Sequence, residues 1–482
     1  MSLTPRTPSS RQLALLFLLP FTLVALVALL QGRILPLGDD WKLFIDFDRI
    51  GFVEAIRSNS QVEHGTRFRP FCYGHVWIER SLLGLPFWVC KWIGHLYLGL
   101  SGSMLVLLLL SLGLPFGRAL LAGLLLAAHP AATEVHGWAT ARVDTMAACY
   151  GLLALWLGAT RNGGVLTFLA FLAAFLSKES AYPLLLLPPL LAWAGPARGS
   201  RMLAAWAPAL LAFAVTAALK LLLVGRFLAE WWSVAVPLGL RIQGYLSHAR
   251  ALVLWPGSSA APGVLSSVLA LVYAAALLGG MLVAPFLPRV RGRVQESPGG
   301  FPLLALLAAF VLSLAVTGGI AMRSDLGGSR VWFLPSAFLL GIFAGTSWRP
   351  ALCLALPAGL LLLHLNLSPY REATRRMGVV LDRLELEVPA RERAVRISGL
   401  EELHGPVPLF FHMDSFYLLR PVFASTELYD RPLLTRRPIR PEHPARIAAL
   451  DSKWRAWMRS HGRKVLDLSW DSERGELRAT DR

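Results

Sequence analysis

The chain has 482 residues, of which 55% are hydrophobic and only 16% are charged. Soluble domains carry roughly a quarter charged residues, so this composition excludes an ordinary soluble protein and indicates a membrane protein. The net charge of +17 does not indicate nucleic-acid binding, because the excess arginines lie largely in short loops between apolar runs, where positive charge sets membrane orientation.

The first apolar run, Leu13–Leu30, follows a basic start and is long enough to span a hydrocarbon core of about 30 Å. No small-residue cleavage site follows it, so we predict a retained signal-anchor with a cytoplasmic N-terminus. Ten further runs predict ten further crossings, in chain order Val89–Leu114, Phe116–Ala128, Ala139–Ala159, Val165–Leu176, Ala181–Ala194, Met202–Val224, Val264–Leu287, Phe301–Thr317, Val331–Ala344 and Ala351–Leu367.

The stretch Val165–Ala194 decides the count. As one helix it would be about 45 Å long, which exceeds one bilayer, and it would bury Lys178 and Glu179 at mid-depth. Two short crossings instead place both charges at a helix-end turn. Every predicted cytoplasmic loop then carries Arg, as in "GLPFGR" and "PRVRGRV", which agrees with the positive-inside rule. We therefore predict eleven crossings with the C-terminus outside.

An acidic pair, Asp39 and Asp40, follows the first crossing on the outer side. Neighbouring side chains diverge, so one carboxylate can act as a base on a hydroxyl while the other binds a metal, an Arg or a backbone donor. A divalent metal at this pair is the one cofactor that the sequence leaves open. The alternative is a solvated loop start that caps the next helix.

Two more polar segments fall on the same side. His64–Leu85 is aromatic-rich and predicts an interfacial helix, in which Arg69 could pair with a phosphate, with the acidic pair or with lipid headgroups. Ala127–Ala148 predicts an outer turn with local pairing of Glu134 with Arg142, or of His136 with Asp144. The segment includes His129 but has no HExxH pattern, so no metal site is predicted there.

The last two outer segments are "SKES" and "MRSDLGGSR". Lys178 can meet a lipid phosphate as a point charge, and adjacent Glu179 is not expected to pair with it. The second segment adds Arg323, Asp325 and Arg330 ahead of another crossing. Such one-sided clustering predicts a membrane enzyme with an outward-facing site.

The order "GDDW … FRPF … HPAATE…ATARVD … LSKES…P … SRVWFLPS" resembles the transmembrane O-mannosyltransferases whose eukaryotic members carry tetratricopeptide repeats, their bacterial relatives, and more broadly the GT-C glycosyltransferase superfamily. The matching segments extend from the first crossing to about Ser336. No tetratricopeptide-like period follows Leu367, so the repeats themselves are absent.

The resemblance implies inverting transfer of mannose or a similar hexose from a polyprenyl phosphate to a protein, glycan or lipid acceptor. Asp39 would be the base that deprotonates the acceptor, assisted by Asp40. The remaining implied residues are the phosphate-binding Arg69, Lys178, Arg323 and Arg330 and the cavity-shaping His129, Glu134, Arg142, Asp144 and Glu179.

Two units are predicted, a transmembrane catalytic domain over residues 1–368, whose outer loop is 36–88, and an α/β domain over 369–482. In the second, Tyr370–Val388 and residues 441–462 predict helices, while Val407–Leu419 and Arg463–Asp471 predict strands. We expect a bacterial cytoplasmic-membrane enzyme with its site and tail outside. The alternatives are a transporter or lipid flippase that uses the same charged cavity, and a catalytically inactive membrane scaffold.

Overall fold

The computed structural model describes helices over much of the chain and strands in the tail. The described residues are 9–32, 35, 40, 51–53, 56, 68–161, 164–194, 204–225, 239, 242, 246, 263–283, 303–317, 333–347, 349–387, 393–398, 403–404, 407–408, 417–419, 431–436, 464–471 and 476–479. Asp39, Arg323, Asp325 and Arg330 lie outside this set.

Fourteen α-helices are described in these residues. They are α1 Ser10–Gln31, α2 Pro70–Trp77, α3 Phe87–Ser111, α4 Phe116–Ala128, α5 Thr133–Gly137, α6 Arg142–Arg161, α7 Val165–Ser177, α8 Leu187–Ala194, α9 Trp206–Val224, α10 Val264–Val283, α11 Leu303–Thr317, α12 Phe333–Thr346, α13 Arg349–Asn366 and α14 Ser368–Glu387. A capping box formed by Ser9 and Gln12 begins α1, which satisfies amide groups that have no partner within the helix.

Within the described residues, six helical spans are long and apolar enough to cross a membrane. They are Ser10–Gln31, Phe87–Ser111, Ala139–Thr160, Trp206–Val224, Val264–Val283 and Arg349–Val379. Four shorter apolar helices accompany them, at Phe116–Ala128, Val165–Ser177, Leu303–Ser313 and Phe333–Thr346. The chain therefore has the architecture of a helical membrane protein, while the count of eleven crossings stays a prediction.

The predicted break in the stretch from Val165 to Ala194 is present. Helix α7 ends at Ser177, Lys178 is extended with φ −164° and ψ 146°, and a 3-10 turn over Glu179–Leu186 leads into α8. Pro183 lies inside that turn, where its missing N–H and fixed φ disfavour a regular α-helix. Lys178 and Glu179 consequently lie at a helix-end turn, as predicted.

Close helix contacts in the bundle use small residues. A Cβ added to Gly102 of α3 would lie 2.8 Å from the carbonyl oxygen of Gly123 in α4, so the two backbones approach in the way that small residues allow in membranes. Large apolar side chains instead cover the outside of the bundle, where Leu222 and Val264 are at least 80% exposed. An exposed apolar surface of this kind suits contact with lipid.

Several chain reversals lie at one end of the bundle. We call this the polar end, and it is marked by Arg142, Asp144 and Lys178. It contains the starts of α3 and α6 and the end of α7. The Arg142 guanidinium at the start of α6 donates to the Cys90 carbonyl near the start of α3, at 3.3 Å. Lys178, at the end of α7, pairs with Asp144 in the first turn of α6.

The tail contributes seven strands to the described residues. They are β1 Arg393–Ser398, β2 Leu403–His404, β3 Val407–Pro408, β4 Tyr417–Leu419, β5 Arg431–Arg436, β6 Lys464–Asp471 and β7 Glu476–Ala479. Five of them form a sheet of order β4-β5-β1-β6-β7, in which β1 is parallel to both β5 and β6.

The tail agrees with its sequence pattern in part. Helix α14 and strand β6 coincide with the predicted helix and strand, whereas the strand predicted over Val407–Leu419 is described only at its two ends, as β3 and β4. The helix predicted over residues 441–462 lies outside the described residues. The placement of an α/β domain on the outer side stays a prediction.

Candidate functional site

A buried ion pair joins helix α6 to the segment around α2. Pro70 occupies the first turn of α2, where its missing N–H costs no helical hydrogen bond, and a π-helical turn over Ile78–Leu82 extends α2 to Glu79. The Arg142 Nη1 atom donates to Glu79 Oε2 at 2.8 Å, and both side chains are at most 3% exposed. Each charge of such a pair offsets the desolvation cost of the other, because either charge buried alone would be strongly destabilising.

Glu79 also receives a hydrogen bond from its own helix. His75, one turn earlier, lies with Nδ1 2.6 Å from Glu79 Oε1. Burial raises the pKa of Glu79, but the Arg142 charge and the bonds from His75 and Arg142 exceed that effect, so its pKa lies below the ordinary value. The other ring nitrogen of His75 lies 3.1 Å from the Tyr97 hydroxyl, which in turn lies 3.3 Å from the Tyr150 hydroxyl.

Lys178 and Asp144 form the second buried pair. The Lys178 ammonium binds Asp144 Oδ1, and both side chains are at most 7% exposed. Lys178 is the extended residue between α7 and the 3-10 turn, and Asp144 lies in the first turn of α6. A carboxylate in a first helical turn is also favoured by the helix dipole.

The third pair, Arg69 with Glu179, is the most accessible of the three. Arg69 Nε lies 3.2 Å from Glu179 Oε2, and the two side chains are 16% and 17% exposed. The second carboxylate oxygen accepts the Phe68 amide at 3.0 Å. Burial raises the pKa of Glu179, but Arg69, two backbone amides and Lys220 together lower it by more than burial raises it. The pKa therefore lies below its ordinary value, and the group is anionic at neutral pH.

Asp40 is bound at the start of α6 by backbone donors. Its Oδ1 accepts the Thr140 amide at 2.7 Å and its Oδ2 accepts the Ala139 amide at 3.3 Å, and the residue is 1% exposed. The Lys91 ammonium of α3 interacts electrostatically with this carboxylate. The sequence left open three kinds of partner for this carboxylate, namely a metal, an Arg or a backbone donor. The partners observed for Asp40 are backbone donors.

The histidines of the predicted outer turn lie inside the protein. His129 and His136 are fully buried, and burial lowers the pKa of His129 to about 3 and that of His136 to about 4. His136 Nε2 lies 3.1 Å from the Ala127 carbonyl oxygen, so it carries the proton and donates. Both rings are consequently neutral at physiological pH.

The structure brings most of the predicted site residues together. The polar end contains Asp40, Arg69, Arg142, Asp144, Lys178 and Glu179, with the contacts described above, and His129 and Glu134 are buried in the adjoining turn. Asp39, Arg323 and Arg330 lie outside the described residues, so their placement stays a prediction.

The observed ion pairs differ from the predicted local ones, because Arg142 pairs with Glu79 and Asp144 pairs with Lys178. The start of α6 thus contacts α2 and the end of α7, which are distant in sequence. In the residues described, no group of three or more His, Cys, Asp or Glu is arranged to hold a metal ion. The possible metal at Asp39 and Asp40 stays untested because Asp39 is not described.

Sequence reasoning missed several groups of this site, above all Glu79, His75 and Lys91. Glu79 and His75 had a usable signal, because a four-residue spacing places them on one face of a predicted helix. The signal for Lys91 was different. A lysine inside an apolar run is energetically costly, and such residues generally mark functional sites.

The arrangement combines buried carboxylate–cation pairs with a carboxylate that is fixed by backbone amides. No protein-family model, no curated protein and no solved structure matches this chain. Charged groups that lie in a low-dielectric region and are already oriented can stabilise charge that develops on a bound substrate.

Proposed function

We propose that the protein is a membrane glycosyltransferase of the GT-C type. It transfers mannose or a similar hexose from a polyprenyl-phosphate donor to a protein, glycan or lipid acceptor outside the cytoplasmic membrane. The same proposal includes eleven crossings, a cytoplasmic N-terminus and an outer α/β tail. It is supported by the order of motifs in the sequence and by the gathering of most of their charged residues at one end of the helix bundle.

The observation that carries the proposal is the anchoring of Asp40. Both of its oxygens accept backbone amides at the start of α6, so this carboxylate has a structural task. Its chain neighbour Asp39 is then the proposed base, because neighbouring side chains diverge and take different partners. A base must lie within hydrogen-bond reach of the proton that it removes.

The proposed reaction inverts the anomeric carbon. The acceptor hydroxyl oxygen attacks that carbon while Asp39 takes the hydroxyl proton. The bond between the anomeric carbon and the phosphate oxygen breaks, and the polyprenyl phosphate leaves with the bonding electron pair. Arg69 and Lys178, together with Arg323 and Arg330, are the proposed cations that stabilise the departing charge.

The proposal is tested by the variant Asp39→Asn in membranes that contain the full chain. Tritiated mannosyl-phosphoryl-undecaprenol is supplied, and label is counted in protein, glycan and lipid fractions. Loss of a general base lowers the rate by about 10²-fold or more, whereas the control Asp382→Asn, an exposed carboxylate on α14, keeps the rate.

Two results would contradict this proposal. Equal transfer by Asp39→Asn and the unmodified chain would remove the base assignment. Transfer no higher than that of membranes lacking the chain, with every hexosyl donor tried, would remove the glycosyltransferase. In that case movement of labelled donor across sealed vesicles would favour the flippase alternative.

A further inference from the structure

Lys220 lies within the apolar helix α9, on the side of that helix that is near Glu179 and Arg69. It belongs to the run "AALKLLLV" near the end of α9 and is 2% exposed. It interacts electrostatically with Glu179 and with Arg69. No hydrogen bond or ion pair to Lys220 occurs among the described residues. An ionisable group in a membrane helix is costly, and such groups generally mark functional sites.

The packing of α9 explains why Lys220 points at this site. Phe213 of α9 packs edge-on against Tyr182 of the 3-10 turn, with ring centroids 5.5 Å apart. Lys220 follows Phe213 by seven residues, which is two helical turns, so both lie on the same face of α9. That face is directed toward the turn that begins with Glu179.

A second donor without a partner lies beside the same carboxylate. The Tyr182 hydroxyl is buried and has no hydrogen-bond partner within the described part of the chain, and it interacts electrostatically with Glu179 and Arg69. Both Glu179 oxygens are already used, one by the Phe68 amide and one by Arg69. The Tyr182 hydroxyl, a buried donor without a hydrogen-bond partner in the described residues, therefore calls for a further acceptor, because a buried donor without one is destabilising.

The local charges indicate which acceptor this is. Arg69 and Lys220 are two cations beside one carboxylate, Glu179, while the adjacent Lys178 and Asp144 neutralise each other. These five side chains together therefore carry one positive charge in excess. A singly charged anion balances it, and a phosphodiester is a singly charged anion that many membrane lipids carry.

We propose that Lys220 and Tyr182, with Arg69, form a binding site for a lipid-borne phosphodiester. This inference deepens the proposed function, because the polyprenyl-phosphate sugar is such a diester, although a bulk phospholipid carries the same group. Lys220 supplies a point charge and the Tyr182 hydroxyl donates a hydrogen bond to a phosphate oxygen. The Arg69 guanidinium remains paired with Glu179, which fixes its orientation.

The test measures binding without requiring transfer. Purified full chain in dodecyl maltoside micelles, which contain no phosphodiester, is titrated with tritiated mannosyl-phosphoryl-undecaprenol. Removing a hydrogen bond to a charged group predicts about a tenfold or larger rise in Kd for Lys220→Met. Lys220→Arg retains most of the affinity, Tyr182→Phe weakens it by less than Lys220→Met does, and the control Lys464→Met in β6 leaves it unchanged.

A second readout separates binding from folding. Lys220→Met removes a buried charge, so without donor its Tm equals or exceeds that of the unmodified chain. A clear fall in that Tm would mean that Lys220 has a partner within the protein and would overturn the inference. Equal Kd values for Lys220→Met and the unmodified chain would overturn it as well.

Two further arms separate this inference from the proposed function and identify the lipid. If binding depends on Lys220 but no transfer occurs in the Asp39 assay, the phosphodiester site stands and the transferase does not. If transfer occurs and binding is independent of Lys220, the transferase stands and this site does not. Competition of the labelled donor by phosphatidylglycerol, lost in Lys220→Met, would support the site with a bulk phospholipid as its ligand.

Discussion

Replacing Glu79 by Gln tests the buried pair at the centre of the polar end. The substitution keeps the shape of the side chain and removes its charge, which leaves the Arg142 guanidinium, 1% exposed, without its carboxylate. Breaking one partner of a buried pair costs about 3–5 kcal/mol. We therefore expect Glu79→Gln to lower the free energy of unfolding by about that amount.

The matched control is Glu372→Gln on α14. Glu372 also pairs with arginines, Arg375 and Arg376, but the three side chains are 32% to 65% exposed. Exposed pairs contribute about 0–1 kcal/mol, so the same chemical change should have little effect there. Both variants are unfolded by SDS titration in mixed micelles, and their midpoints are compared with that of the unmodified chain.

A double variant shows whether the cost arises from the pair itself. Glu79→Gln combined with Arg142→Met removes both charges, and replacing a whole buried pair by uncharged groups is often neutral. The double variant should therefore be more stable than Glu79→Gln alone. If Glu79→Gln costs no more than Glu372→Gln, or if the double variant is the least stable of all, the account of this pair is wrong.

The pH dependence of this pair has a defined sign. The pKa of Glu79 in the folded protein lies below its ordinary value of 4.5. Its contribution to stability is therefore fully present above pH 4.5 and is lost as the pH falls through the lower folded value. The SDS midpoints of the unmodified chain and of Glu79→Gln should differ by a constant amount above pH 4.5 and should converge as the pH falls below it.

Three further substitutions can be measured by the same titration. Asp40→Ala removes the acceptor of two backbone amides and should cost about 3 kcal/mol; no measurable loss would show that Asp40 does not anchor the start of α6. Gly137→Val places atoms against the Tyr370 ring and should cost about 1–3 kcal/mol, whereas Gly279→Ala, with nothing within 4 Å, should be neutral. Lys178→Met leaves the Asp144 carboxylate without its ammonium and should cost about 3–5 kcal/mol; a stable variant would contradict the buried pair.

Part of this architecture could be predicted from sequence because the physical signal is local. A run of 30 residues with Lys178 and Glu179 in its middle cannot cross a bilayer as one helix, so the break at that point followed from length and charge alone. The amphipathic spacing of α14 and the apolar alternation of β6 are likewise properties of a few neighbouring residues.

The pairing of charges could not be predicted in the same way. Arg142 and Glu79 are 63 residues apart and Asp144 and Lys178 are 34 apart, and both contacts depend on how α2, α6 and α7 pack. Sequence reasoning instead proposed pairs within one turn, whereas the ion pairs observed for Arg142 and Asp144 are with Glu79 and Lys178. Lys220 was passed over because a single lysine does not change the hydropathy of its run, although its cost in lipid is a usable signal.

Photo-crosslinking can show whether the polar end binds the lipid-linked phosphodiester that we propose. Purified full chain in nanodiscs is irradiated with a polyprenyl-phosphoryl-mannose that carries a diazirine next to the phosphate, and labelled peptides are identified by mass spectrometry. If the donor binds there, label appears in the peptides that contain Arg69 and Lys178–Tyr182, and this label is lost when unlabelled donor is added. Label confined to lipid-facing residues such as Val264, unaffected by unlabelled donor, would contradict the proposal.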